Sequence, residues 1–530
     1  MKNTKIVIAL LLAILMAVGL AACAASAPNE SGGADWFYNG GAADGNIAAS
    51  TGAAKPEAIA PSLDASDSDD SKGTIYDIYS DPNYGKIIEN SFIKTAENSI
   101  STFSADVDTA SYAYFRKLVN YGWSFSDILR SAGQSIRTEE MINYFSYDYA
   151  EPAEGELFGV RTTMAHCPWN ENAALLQIAL KATDAVETQG NNLVFLIDVS
   201  GSMNSADKLE LLKESFEYLV DTLTPADTVS IVTYSGNEKV VLKGCNGSDS
   251  RKIMKAVDSL TAGGSTNGQA GLQKAYEIAG DYFIEGGNNR IIMASDGDLN
   301  VGISSPEELK AFISEKRDAG IYLSVLGFGT GNYRDGNMEA IADNGNGVYY
   351  YIDGLTEAEK VFGTDLTSTL YTVAEDVKLQ ITFDPKYVAE YRLVGYENRL
   401  LKTEDFEDDT KDAGEVGAGH SVTVCYEIIY TEEAKAISSY FDLAKLAIRH
   451  KAPGEDASKL NEYTVSDASF EENDDLKFIC AVTELSMLLH ESEYAKDITL
   501  NDVYELLASL DLSNDSYKAE FRELVKDLLQ

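Results

Sequence analysis

The chain has 530 residues, too many for one hydrophobic core and enough for two or three domains of ordinary size. Its hydrophobic fraction of 45% is that of a globular protein, while 85 acidic against 42 basic residues leave a formal charge of −43. Such a field excludes a nucleic-acid surface, which needs a basic patch at the phosphate backbone, and fits solubility with some concentration of cations near the surface.

At the N-terminus, Lys2 and Lys5 precede an unbroken apolar run over 6–22, the layout of a secretory signal peptide occupying residues 1–22. The run is nearly long enough for a membrane span, but it ends in Leu20-Ala21-Ala22-Cys23, small residues leading into a cysteine. That stretch resembles the lipobox of bacterial lipoproteins, and the resemblance implies cleavage before Cys23 and its acylation, with chains enough for stable anchoring. The expected location is extracytoplasmic, lipid-anchored to the cell membrane or outer membrane. Residues 23–88 are Ala/Gly/Ser/Asp-rich, without the apolar periodicity a core requires, and read as a disordered linker. A flexible coil of about fifty residues would reach roughly 40 Å, enough to lift a domain clear of a membrane.

Residues 89–190 read as an α+β region: a strand over 103–107, helices from 109 and over 138–145, then strands over 160–164 and 175–180 flanking the HCPWN loop. Residues 191–373 alternate apolar strand runs with amphipathic helices, which predicts an α/β, doubly wound, Rossmann-like domain whose parallel sheet is covered on both faces. LVFLIDV is its buried strand, and over 207–223 Leu209, Leu212, Phe216, Leu219, Val220 and Leu223 fall on one helical face. The strands TVSIVTY, KVVLKG, RIIMAS and IYLSVLGFG alternate with three more helices. Over 374–470 the period changes to two, as in Val377, Leu379, Ile381 and Phe383, a half-exposed antiparallel sheet. Residues 471–530 turn helical, with a capping-type SNDS before the last helix.

In open α/β sheets ligands sit at the carboxyl ends of the strands, so chemistry is expected in the loops after LVFLIDV, in the GGST segment and after RIIMAS. These supply two carboxylates, Asp198 and Asp296, and three hydroxyls, Ser200, Ser202 and Thr266. Hard oxygens without nitrogen or sulfur suit Mg²⁺, with Mn²⁺ or Ca²⁺ as alternatives, and suit zinc or copper poorly. Taken alone, a DxSxS stretch is commonly a turn or a helix cap, here with Ser202 or Asn204 capping the next helix. Asp296, Asp298, Asn300 and Glu307 also fall at positions 1, 3, 5 and 12 of an EF-hand loop, but Val301 stands where that loop needs glycine. Cys167, Cys245, Cys425 and Cys480 are scattered without CxxC spacing and are expected as buried free thiols. GxSxG, P-loop, GxGxxG and HExxH are all absent, and Asp106 and Asp108 share a strand face as acids often do, so no catalytic residue is assigned.

In this order and spacing, DVSGS, the threonine after GG and SDGD closely resemble the metal-ion-dependent adhesion site of von Willebrand factor type A domains. FSADVDTASYAYFRKLV, EEMINYFSYDY, HCPWN, RLVGYENR and DAGEVGAGHSVTVCYEI resemble the flanks of bacterial lipoproteins built around such a domain, so the likeness covers roughly 90–530. It implies that Ser200 and Ser202 ligate directly, that Thr266 does so when a partner is bound, and that Asp198 and Asp296 act mainly through waters. Ser295 departs from the threonine many relatives carry before the Asp-Gly pair, at a position that is no principal ligand. The implied function is a lipoprotein, not an enzyme, that binds a protein partner through a divalent metal completed by an acidic residue of that partner. The alternatives are a cell-envelope scaffold with a structural metal and, further off, a hydrolase in the flanking regions.

Overall fold

The structure, a computed structural model, describes residues 87–530 apart from 106, 185–188, 237, 265–267, 298–305, 330–334 and 472. The expected signal peptide, Cys23 and nearly all of the linker lie outside the described residues. The N-terminal part runs β1 (Ile93–Lys94), β2 (Ile100–Ser104), α1 (Ala110–Asn120), α2 (Phe125–Ser131), α3 (Thr138–Asn143), β3 (Phe158–His166) and β4 (Ala174–Ala182). Helix α2 has no counterpart among the elements expected from the sequence. It starts at a capping box in which Ser124 and Asp127 satisfy each other's backbone N–H.

The α/β domain follows as β5 (Asn191–Asp198), α4 (Leu211–Thr222), β6 (Thr228–Tyr234), β7 (Lys239–Asn246), α5 (Ser250–Asp258), α6 (Gly268–Asp281), β8 (Asn288–Ser295), α7 (Pro306–Asp318), β9 (Tyr322–Phe328), α8 (Asp335–Asn344) and β10 (Tyr349–Ile352). Its sheet has the order β10-β9-β8-β5-β6-β7, parallel except for β7, which pairs antiparallel with β6 at the edge. All eight residues of β5 are buried, and its alternate side chains feed two cores: Leu193, Phe195 and Ile197 on one face, Val194 and Leu196 on the other. A strand covered on both faces has no polar side, which is why LVFLIDV is continuously apolar. The helix expected over 207–223 starts instead with a π turn, Ala206–Glu210, and becomes regular at Leu211.

The remaining strands are β11 (Thr372–Phe383), β12 (Val388–Val394), β13 (Gly414–Gly417), β14 (Ser421–Tyr430), β15 (Asp442–Lys451) and β16 (Ser458–Ser466). They build two sheets jointly with the N-terminal strands. One has the order β1-β12-β14-β4-β3; the other is β13-β11-β15-β16, with β2 also paired to β11. Leu180 thus faces Val422 across the first sheet, and Phe103 faces Leu379 across the second. The α/β domain is therefore carried between β4 and β11 of one flanking β-structure.

Helices α9 (Asp474–Leu489), α10 (Leu500–Ala508) and α11 (Ser516–Asp527) close the chain, and Asp515 of the SNDS stretch caps α11 by accepting from the N–H of Tyr517 and Lys518. Helix α9 packs on α3, and α11 on α1, within the same apolar core as Leu175 and Cys425 of the first flanking sheet. None of the described helices is long and apolar enough to cross a membrane. The four cysteines described are buried free thiols.

Candidate metal centre

Asp198 ends β5, and the chain then turns through Ser200 and the 3-10 turn Gly201–Met203, so this loop opens at the carboxyl end of the central strand. Asp198 Oδ1 accepts the Ser200 backbone N–H at 2.7 Å, an Asx-type contact that fixes the turn. The hydroxyl oxygens of Ser200 and Ser202 then lie 2.9 Å apart. Neither serine nor Asn204 makes a side-chain cap bond to the following helical turn, so the cap reading of this stretch finds no support among the described contacts. Two backbone bonds bring the glycine segment alongside: Gly201 N–H donates to Gly264 O at 3.1 Å, and Gly263 N–H to Val199 O at 2.8 Å. Gly264 lies at φ +93°, a left-handed conformation that disfavours any side chain.

Asp296 directly follows β8, and both its carboxylate and that of Asp198 are buried. Asp198 Oδ2 receives no hydrogen bond, although the Tyr234 hydroxyl at the end of β6 is a near neighbour. Burial pushes the Asp198 carboxyl up to about 6, opposed by its bonds to Ser200 and reinforced by the charge of Asp296. A buried carboxylate with an orphaned oxygen, beside a second carboxylate and two facing hydroxyls, is deficient in positive charge. The donor chemistry and this orphaned oxygen fit a hard divalent cation.

One cation already reaches the cluster, and the sequence reading did not single it out. Lys208, in the π turn, donates from Nζ to Asp296 Oδ2 and to the Ser202 carbonyl, both at 2.9 Å. Its stem lies against Gly329, where an added Cβ would stand 2.1 Å from Lys208 Cε; only glycine leaves the ammonium this path. Lys208 lies in the π turn Ala206–Glu210, a kind of turn that often marks functional positions.

Of the residues expected to ligate, the structure brings Asp198, Ser200, Ser202 and Asp296 to one end of the sheet. Thr266 and Cys23 lie outside the described residues, as do Asp298 and Asn300 of the EF-hand pattern. Asp108 forms a structural ion pair with Arg399 at 3.1 Å and accepts from the Tyr349 N–H at 3.1 Å, the second contact tying the N-terminal segment to β10.

A family profile described as "von Willebrand factor type A domain" matches residues 192–364, one described as "von Willebrand factor" matches 79–177, and one described as "Uncharacterized protein YfbK, C-terminal" matches 368–530. The uncharacterized protein YfbK of Escherichia coli (strain K12) is 38% identical over 467 residues, covering 84% of this chain and 80% of that relative. Among solved structures, a von Willebrand factor type A protein from Catenulispora acidiphila matches at 17% identity and TM-score 0.39, over 69% of this chain and 88% of its own. Proximal thread matrix protein 1 of the mussel byssus, described with a zinc occupied MIDAS motif, matches at 21% identity and TM-score 0.29, over 36% of this chain and 46% of its own.

Proposed function

The chain belongs to the YfbK family, with a von Willebrand factor type A domain at its centre, and from that premise we propose that it binds a protein partner through a divalent-metal adhesion site. Domains of this type are typical of metal-dependent adhesion and protein interaction and commonly hold a divalent metal at this motif. The residues that would hold it here are Asp198, Ser200, Ser202, Thr266 and Asp296, with Mg²⁺ the proposed ion and Mn²⁺ or Ca²⁺ alternatives. A bound divalent ion would supply an open coordination position for a carboxylate of the partner. The hydroxyls of Ser200 and Ser202 bring no charge, so the ion would keep its appetite for an external anion. Buried Asp198 and Asp296 would orient the site without saturating it.

The single observation that carries this reading is the orphaned, buried Asp198 Oδ2 beside the paired hydroxyls of Ser200 and Ser202 at the end of β5. The protein is proposed to act as a binding protein rather than an enzyme, in an extracytoplasmic location, anchored to a membrane through lipid on Cys23. Immobilised full-length chain should retain its partner in Mg²⁺, release it on chelation, and fail to retain it as Asp198→Ala. Metabolic labelling with palmitate should mark the wild-type chain and not Cys23→Ser. Retention that survives chelation and Asp198→Ala would favour the scaffold alternative.

A further inference from the structure

Two of the residues around Lys208 are braced from outside the α/β domain, by helix α1 of the N-terminal flank. Asp207, which precedes it in the π turn, accepts from Lys117 Nζ of α1 at 3.3 Å and from Ser205 Oγ at 2.5 Å. Lys117 is 3% exposed, so its ammonium reaches Asp207 from within the packed face of the helix. Gly329, directly after β9 and against the Lys208 stem, accepts from the Tyr351 hydroxyl of β10. The Tyr351 ring in turn lies 5.3 Å from Lys117 Nζ and meets the ring of Tyr114 in α1 edge-on at 5.9 Å.

From α1, one route therefore runs through Asp207 and another through Tyr351 and Gly329, and both end at the ammonium that donates to Asp296 Oδ2 and the Ser202 carbonyl. Burial brings the Lys117 ammonium below its ordinary range against the pull of Asp207, and the charge of Lys208 adds to the lowering, so the two ammonium groups share one neighbourhood. A lysine on a flexible four-carbon stem ordinarily swings away from an arriving cation. One confined between the π turn and Gly329 has no slack, because close-packed surroundings must shift when it moves.

We propose that Lys117 and Tyr351 are positioning residues through which α1 holds Lys208 on Asp296, so that the flank sets the affinity of the centre for its ion, a role that rests on the reading of the cluster as a divalent-metal site. An ion entering the cluster must move the Lys208 ammonium, and the firmer the brace, the more that movement costs. Coupling of this kind is reciprocal: whatever α1 subtracts from metal affinity, bound metal subtracts from the docking of α1.

The test is Mg²⁺ calorimetry on the full chain. Tyr351→Phe keeps the ring and removes only the hydroxyl that holds Gly329, and Lys117→Met removes the contact to Asp207. Each should tighten Mg²⁺ binding about 5-fold or more, the lower end of typical coupling between sites. Neither should matter in a Lys208→Met chain, where no ammonium is left to position, whereas a general electrostatic effect of Lys117 would persist there. Hydrogen exchange gives a second readout: saturating Mg²⁺ should speed exchange in α1 of the wild type and leave it unchanged in Lys208→Met. Mg²⁺ affinity unchanged in both single variants, or changed equally with and without Lys208, would overturn the positioning role and leave the metal centre standing. A wild-type chain that binds no Mg²⁺ would overturn both.

Discussion

Lys208→Met should strengthen metal binding at the first centre and weaken the metal-free protein, two effects of opposite sign from one substitution. The ammonium lies 2.9 Å from Asp296 Oδ2, with the carboxylate fully buried and the lysine side chain 10% exposed. An ion entering the cluster must displace it or tolerate it. At an effective dielectric of about 20, a unit charge held about 5 Å from a divalent ion opposes it by roughly 6 kcal/mol, so displacement along the flexible stem is favoured. The cost of displacement is then the hydrogen bond to a charged group, about 1.5–3 kcal/mol. Methionine keeps the stem against Gly329 and has nothing to displace, so Mg²⁺ should bind roughly 10- to 100-fold tighter. Without metal, Asp296 loses its partner, which should cost about 3 kcal/mol, toward the low end for a broken buried pair. Calorimetry on full-length wild type and Lys208→Met, with urea unfolding in chelator and in saturating Mg²⁺, measures both. Equal or weaker Mg²⁺ affinity in the variant would refute the view that Lys208 competes for the site.

Glu484, on α9, is 5% exposed, and burial pushes its carboxyl up to about 7, with the charge of Asp502 adding to it. A raised carboxyl means that the fold holds the proton more tightly, so this contribution is full below about pH 4.5 and lost as pH rises toward 7. Glu484→Gln should therefore stabilise the protein at pH 8, by an amount on the order of 3 kcal/mol, and change little at pH 4, as read by urea unfolding at both pH values. Arg392 and Glu427 form a buried pair between β12 and β14, with Arg392 also stacked 4.0 Å from the Tyr494 ring centre. Arg392→Met should cost about 3–5 kcal/mol by stranding Glu427, and Arg392→Met/Glu427→Gln should recover part of it. Arg116 is nearly buried and ties α1 to Asp353 and Glu357 of the α/β domain, at 2.5 and 2.7 Å, and to Glu520 of α11 at 3.2 Å. Arg116→Met should loosen this three-way junction, seen as faster hydrogen exchange in α1 and α11 together; protection unchanged in α11 would show that the Glu520 contact contributes nothing.

Strands buried on both faces were legible because they leave no other pattern: LVFLIDV and RIIMAS are apolar throughout and sit side by side as β5 and β8. Direction was not legible. KVVLKG reads as a strand whichever way it runs, and only the structure has β7 antiparallel at the edge. Neither β10 nor α8 was assigned, the first because four residues give no period, the second because Asp335–Asn344 mixes Gly, Asn and Asp with few apolar residues. Pairing of β4 with β14 spans some 240 residues of chain, a contact no local pattern encodes. At the candidate metal centre, loop position and hard-oxygen chemistry single out Asp198, Ser200, Ser202 and Asp296, and the structure has these four at one end of the sheet. Lys208 was not legible, since a lysine at the edge of a helix's apolar face is ordinarily read as a solvated residue.

The most direct test of the central claim is Mg²⁺ calorimetry on the full chain, wild type against Asp198→Ala and Ser200→Ala/Ser202→Ala in matched buffer, with circular dichroism to confirm equal folding. Saturable binding to the wild type that is lost in both variants is the predicted result. A wild-type chain that binds no divalent ion, or variants that bind it as well as the wild type, would contradict the adhesion-site assignment.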